Sequence, residues 1–243
     1  MAEWLEGRIV ALSPHPDDVV LSLGAAIAGS VRRGATVEVL TVFAGDPDAE
    51  QPAGKWDARS GFRTEGEAAR ARRAEDVDAF SILGASVAWL PLGDKQYHRE
   101  VGENEVWPAI ARAVARADAV LIPGFPLIHR DHAWLCDLLM RRGLPCARMG
   151  LYVEQPYAYH LRKAHPRPTV PERVAAIAAP WSRLAARGND RFAKRQAIRA
   201  YRSQRDNLGM SKGVVSRLDR MLWHELMHGG EAVAWLTEGP SER

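Results

Sequence analysis

Two short polar runs hold the residues of this chain that could do chemistry. The first, SPHPDDVVLS at positions 13–22, places His15, Asp17 and Asp18 directly after an apolar run. The second is His129-Arg130-Asp131-His132, which follows the apolar stretch 119–128. Two adjacent aspartates repel each other and are costly to desolvate unless a positive group stands beside them. His15 and Asp18 have His-x-x-Asp spacing, so one tight turn can aim both at one centre. One histidine of the second run would complete a set of two imidazoles and a carboxylate, a common hydrolytic zinc set with a position left for water. Asp17 would then stand beside that water, whose pKa such a metal brings down towards about 7, and could take its proton. The other histidine of the pair would be free to donate to a developing oxyanion. Each run alone has a plainer use: Asp17 or Asp18 can cap a helix starting at residue 19, and 129–132 can be a solvated loop.

The surrounding pattern decides whether the two runs can meet. Residues 9–12 (IVAL) read as a buried strand, 19–33 carry helical apolar spacing stopped by Gly34, and 36–43 read as a second strand. Strand, helix and strand within about 35 residues is the size of a right-handed βαβ unit. A long aperiodic loop spans 45–64, a form that is usually functional or mobile in compact domains. A helix over 65–83 ends at Gly84; strands follow at 87–90, 119–123 and 147–154, with helices over 106–116 and 133–142. The expected fold class is α/β, a three-layer Rossmann-like sandwich with a mostly parallel sheet. Ligands of such sheets sit outside the carboxyl ends of the strands, where both polar runs fall. Beyond this, prolines at 156, 166, 168, 171 and 180 suggest an irregular connector, and 191–208 read as a helix rich in Arg, Lys and Gln. One domain over 1–243 is expected, with a helical C-terminal part at about 190–235.

Composition narrows the classes further. Apolar residues at 47% and charged residues at 26% suit a soluble globular protein. A net charge of +3 is too small a surplus for the concentrated basic face that nucleic acid requires. The two cysteines, Cys136 and Cys146, lack metal or redox spacing and read as reduced thiols of a cytoplasmic protein. MAEWLEGR shows no basic region before an apolar core, so no signal peptide is expected. No apolar run approaches the roughly 20 residues that span a bilayer, so a membrane partner is not expected either. No GxGxxG or GxxxxGK[ST] run is present to hold a nucleotide phosphate.

SPHPDDVVLSLG, with HRDH after a later strand, resembles the LmbE/PIG-L family of zinc-dependent N-deacetylases. Arg72-Arg73-Ala74-Glu75-Asp76 followed by ILG at 82–84 is similar to that family's R-x-x-E…LG helix, and Tyr201-Arg202-Ser203-Gln204 to its late Y-x-S-Q segment. The resemblance implies His15, Asp18 and His132 as ligands of Zn2+ or another divalent metal, and Asp17 as general base. It implies His129 as the group that stabilises the intermediate or protonates the leaving amine, Asp131 as its orienting partner, and Arg72 in the substrate pocket. The family most often has glutamate at the position of Val19 and proline at that of Arg130. A branch with a small apolar residue at the former acts on N-acetylglucosaminyl groups of natural products, and DDVVLS resembles it. The implied partner is a small N-acetylated sugar or glycoconjugate; a homo-oligomer is compatible with the same sequence.

Four other features bear on function. Glu154-Gln155-Pro156-Tyr157 follows a strand and can reach the cleft or simply turn at Pro156, while His98 and His160 fall in loops, the latter within reach of substrate. Trp56, in the long loop, offers an aromatic face that stacks on sugars or apolar aglycones. His224-Glu225-Leu226-Met227-His228 matches the HExxH of metalloproteases letter for letter, although little chain follows to supply a third ligand. A non-catalytic sugar-binding α/β domain is the remaining alternative, and it predicts no tightly bound metal.

Overall fold

The apolar run 9–12 becomes the middle of β1 (Arg8–Ser13), which is buried from its second residue onward. It lies between β2 (Thr36–Thr41) and β4 (Ala119–Phe125), parallel to both. A strand covered on both faces reads as a continuous apolar run, and β4 is buried along its whole length for the same reason. This computed structural model describes residues 2–97, 102–161, 180–205, 207–210 and 216–236.

Their sheet has the order β3-β2-β1-β4-β5-β7-β6. Strands β3 (Ser86–Trp89) and β5 (Met149–Val153) extend the parallel part. Strand β7 (Ala232–Trp235) pairs antiparallel with β5, and β6 (Ser182–Arg183) antiparallel with β7. The chain winds outward from β1 to β3 on one side and from β4 to β5 on the other. The order therefore reverses between β1 and β4, which is where crevices open in such sheets.

Helices cover both faces. Alternate strand residues such as Ile9, Ala11, Val39 and Leu121 pack on α1 (Asp18–Val31), α3 (Glu65–Leu83) and a later helix, Gly188–Ala200. Their neighbours Val10, Leu12, Val120 and Ile122 pack on α4 (Glu103–Val114) and α5 (Arg130–Arg142). Helix α1 is buried from Asp18 to Ser30, because the sheet lies beneath it and the later helix above. Gly24 permits that approach: a Cβ there would stand 2.9 Å from Lys194 Cγ.

Short elements complete the described chain: α2 (Lys55–Arg59) in the long loop, a 3₁₀ turn at Lys95–Tyr97, and α6 (Tyr157–Leu161) after β5. The helix at Gly188–Ala200 is α7; α8 (Arg202–Arg205) and α9 (Arg217–Met227) follow. Two expectations are corrected. The single helix over 191–208 breaks at Tyr201, whose buried hydroxyl donates to Asp76 Oδ1 at 2.7 Å. The C-terminal part is not wholly helical, since Ala232–Trp235 joins the sheet; a four-residue apolar run has no period that separates strand from helix. His98 and positions 162–179 of the connector lie outside the described residues.

Candidate metal centre

The turn between β1 and α1 builds the first half of the site. The backbone N–H of His15 donates to Asp18 Oδ2 at 2.9 Å, folding the turn back on itself. The N–H of Val19 is taken by Ser13 Oγ at 3.2 Å, so the strand end caps the helix. Asp17 occupies the N-cap position but its side chain makes no capping bond, which removes the capping alternative for it. Its φ of 92° lies in the left-handed region that non-glycine residues avoid. Strain of this kind costs about 1–3 kcal/mol and gathers at functional sites.

The second half is the start of α5. The helix begins at Arg130, three residues earlier than the apolar spacing indicates, so His129 is its N-cap and Nδ1 accepts from the N–H of Asp131 at 3.3 Å. Asp131 and His132 thereby lie in the first turn and point back to β1.

Three atoms converge between the halves. His15 Nδ1 lies 3.2 Å from His132 Nε2 and 3.3 Å from Asp18 Oδ2, and His132 Nε2 lies 3.1 Å from Asp18 Oδ2. Both imidazoles have their other nitrogen engaged. His15 Nε2 stands 3.1 Å from Asp131 Oδ2, and His132 Nδ1 donates to Glu154 Oε1. Those carboxylates hold the protons on the outer nitrogens, so three lone pairs face one point. Donors of a tetrahedral metal with bonds of about 2.0–2.1 Å stand about 3.3–3.4 Å apart, close to the edges of this triangle. The residues therefore fit a divalent cation. His129 joins the two imidazoles in a looser group whose ligand atoms lie within 4.8 Å of one another.

The electrostatics point the same way. Burial works against charge on His15, but hydrogen bonds to Asp131 and Asp18 outweigh it and raise its pKa to about 10. His132 is likewise desolvated yet lifted to about 9 by Asp18 and Glu154. Asp18 is held well below the usual carboxylate range because His132 and His15 outweigh its burial. The pocket favours positive charge at its centre. Asp17 goes the other way: burial and the neighbouring Asp18 push its pKa well above the usual value. Burial and the two nearby imidazoles lower His129 to about 4, so it is neutral at neutral pH.

A cleft of about 230 Å³ opens over this centre, lined by His15, Asp17, Asp18, His129 and Asp131 on one side. Trp56, Arg72 and Gln204 form part of the other. Arg72 and Trp56 thus line the cleft. Glu154 does not face the cleft: it is 2% exposed, accepting from His132 and from the N–H of Leu127 at 2.7 Å. Asp131 lies nearer His15 than His129, from whose Nδ1 it is 3.8 Å, so it orients His15. His160 is not among the residues that line the cleft. Tyr157, of the same run as Glu154, does line the cleft, and its ring stands edge-on to His132 at 5.4 Å.

HELMH forms no second centre. Glu225 turns inward to Lys194, 2.9 Å away, and the rings of His224 and His228 stack on each other at 4.0 Å. Helical spacing supplied the letters, but the glutamate is committed to a buried ion pair.

A parallel α/β fold with two imidazoles and a carboxylate at its switch point defines a metal-dependent hydrolase class. Residues 10–141 match the PIG-L family, GlcNAc-PI de-N-acetylase. The chain belongs to that family, and it is a deacetylase. It is similar to the A40926 pseudoaglycone deacetylase Dbv21, at 26% identity and a TM-score of 0.77 over 98% of this chain and all of that one. It is also similar to a triple mutant of the teicoplanin-pathway deacetylase, at 25% identity and 0.75 over 97% of this chain and all of the other. N,N'-diacetylchitobiose deacetylase from Pyrococcus horikoshii shares the fold, at 16% identity and 0.61 over 94% of this chain and 82% of that one. No curated protein sequence matches the chain. Among the described residues no helix is long and apolar enough to cross a membrane.

Proposed function

We propose that this deacetylase removes the N-acetyl group of an N-acetylglucosaminyl unit in a glycosylated natural product, with zinc held by His15, Asp18 and His132. The observation that carries the proposal is the convergence of His15 Nδ1, His132 Nε2 and Asp18 Oδ2 beside Asp17. Zinc at this point supplies Lewis acidity, lowering the pKa of a water and polarising the acetyl carbonyl. Asp17 lies in the cleft with no hydrogen bond to its carboxyl from the described residues, and takes a proton from the attacking water. His129, neutral and with Nδ1 engaged by the N–H of Asp131, presents Nε2–H to the oxygen that gains charge. As the C–N bond breaks, the proton on Asp17 passes to the leaving nitrogen, giving free amine and acetate. Asp131 and Glu154 keep the imidazoles of His15 and His132 turned towards the centre.

The substrate class is supported by likeness to Dbv21, an A40926 pseudoaglycone deacetylase, and to the teicoplanin-pathway enzyme. Trp56 gives the cleft a flat apolar face for a sugar or its aglycone. Chelator-stripped protein reloaded with zinc is expected to remove one acetyl from N-acetylglucosaminyl compounds, followed by mass spectrometry. The stripped protein is expected to be inactive. If the reloaded protein converts no N-acetylglucosaminide in a panel that includes glycopeptide pseudoaglycones, the reading fails.

A further inference from the structure

The wall of the cleft facing the metal centre is assembled from distant parts of the chain. Trp56 comes from α2, Arg72 from α3, Lys95 and Gln96 from the 3₁₀ turn, and Gln204 from α8. Helix α2 has five residues, and isolated helices shorter than about 12 are marginal. Contacts from outside must therefore hold it.

The central contact is Asp57, a side chain that is 1% exposed. One carboxylate oxygen accepts from Arg72 Nη2 and the other from the hydroxyl of Tyr97. A single carboxylate thus joins α2, α3 and the 3₁₀ turn. Its neighbour Trp56 leaves in another direction, and the indole N–H donates to Gln204 Oε1 at 2.8 Å. Asn207 Nδ2 donates to the carbonyl of Trp56 at 3.0 Å and to Ser60 Oγ at 2.9 Å, while Ser60 Oγ donates to the carbonyl of Ser203 at 2.7 Å. These bonds fix the back of α2, but among the described residues only Asp57 ties it to Arg72 and Tyr97 at once. The Arg72 side chain is 11% exposed, and its Nε has no hydrogen-bond partner among the described residues. Asp94, Asp17 and Glu75 also act on this guanidinium, but among the described residues its direct ion pair is with Asp57, and losing a charge-assisted bond to a buried partner is unfavourable.

We propose that Asp57 is a positioning residue for substrate recognition, which from behind the cleft wall locks Arg72, Trp56 and the 95–97 turn into one arrangement. The mouth of the cleft is then preformed, and the sugar and its aglycone bind without first ordering it. Asp57 is not among the residues lining the cleft, so its effect falls on binding rather than on the chemical step. The inference rests on the N-acetylglucosaminyl reading above.

Asp57→Asn and the milder Tyr97→Phe test it. Loss of a charge-assisted hydrogen bond to a buried partner corresponds to about a 30-fold change in binding. Asp57→Asn is therefore expected to raise KM for an N-acetylglucosaminyl substrate about 30-fold, with kcat and zinc content unchanged. Tyr97→Phe raises KM less, and the double variant binds no more weakly than the sum of the two predicts, because both changes break one cluster. Amide hydrogen exchange over residues 55–60 is expected to quicken in both single variants, and this arm needs no substrate. Faster exchange at wild-type KM overturns the inference, as does a fall in kcat alone. If wild-type protein cleaves no N-acetylglucosaminide, the functional reading fails by itself, and unchanged exchange in both variants then refutes the locking role separately.

Discussion

Glu154 accepts the N–H of His132 from beneath the metal centre, and so decides which nitrogen of that imidazole faces His15 and Asp18. Both side chains are buried, at 2% and 1% exposure. A carboxylate in this position fixes the tautomer and makes the imidazole a better donor. Glu154→Gln keeps the shape but removes the charge, and its amide can still accept from His132. Metal affinity measured by competition with a chelating dye is expected to fall about 10- to 100-fold, with the fold intact by circular dichroism. An unchanged affinity would show that the tautomer is fixed in another way.

Asp17 and Asp18 are adjacent but are pushed in opposite directions, and their variants should separate accordingly. Asp17→Asn leaves the triangle of His15, His132 and Asp18 in place. It is expected to bind metal stoichiometrically while kcat falls about 100-fold or more. Asp18→Asn removes the charge that lifts both imidazoles and is expected to lose metal first. Elemental analysis beside initial rates distinguishes the two. Equal metal loss in both variants would contradict the division of roles.

Most of the sheet and the place of the centre were legible in the sequence, because buried parallel strands announce themselves as short apolar runs. Gly84 marked a helix end for a physical reason, taking the left-handed conformation that closes α3, whereas α1 ends at Val31, short of Gly34, with Arg32 as its C-cap. The convergence of 13–18 with 129–132 followed from strand ends alone. Less legible were features set by packing across the sheet. Glu154 reads as a cleft residue because it follows a strand, yet β5 lies beside β4, which aims it at His132 instead. Asp131 is two residues from His129 in sequence, but its first-turn position on α5 carries it to His15. The HELMH glutamate looks catalytic in spacing and is structural in space, because α9 turns it onto Lys194. In each case the sequence supplied a chemical group and the tertiary neighbour chose its use.

Asp76 gives a pH signature in stability. It is fully buried, and accepts from the hydroxyl of Tyr201 at 2.7 Å, the indole N–H of Trp89 at 2.8 Å and the hydroxyl of Thr41 at 3.3 Å. Burial raises its pKa from 3.8 to about 6 in spite of these donors. The folded state therefore holds this proton more tightly than the unfolded chain does. Its stabilising contribution is fully present below about pH 4 and is lost as pH rises through about 6. Asp76→Asn mimics the protonated form at every pH. Its stability relative to wild type is expected to rise by about 2–3 kcal/mol between pH 4 and pH 7 in urea melts. A difference that does not change with pH would show that the carboxyl is not shifted.

Lys194 is 1% exposed and donates to both oxygens of Glu225 at 2.9 Å and to Glu231 Oε1 at 2.7 Å. Glu231 in turn accepts from the N–H groups of Ala25 and Ala26, at 2.9 and 2.6 Å. One ammonium therefore ties α7 to α9 and to the start of β7, and through Glu231 to α1. Two carboxylates around one ammonium leave a surplus negative charge, and burial with Glu231 nearby holds the Glu225 pKa up at about 7 although Lys194 lowers it. Lys194→Met leaves both carboxylates buried with no cation between them, a change that costs about 3–5 kcal/mol. Glu225→Gln keeps a neutral acceptor for the ammonium and should cost far less. Neither residue lines the cleft, so metal binding and KM in folded protein should stay at wild-type values in both variants. A metalloprotease centre at HELMH predicts the reverse order, with Glu225→Gln abolishing activity and Lys194→Met harmless, so thermal melts and rates on the same two proteins decide between them.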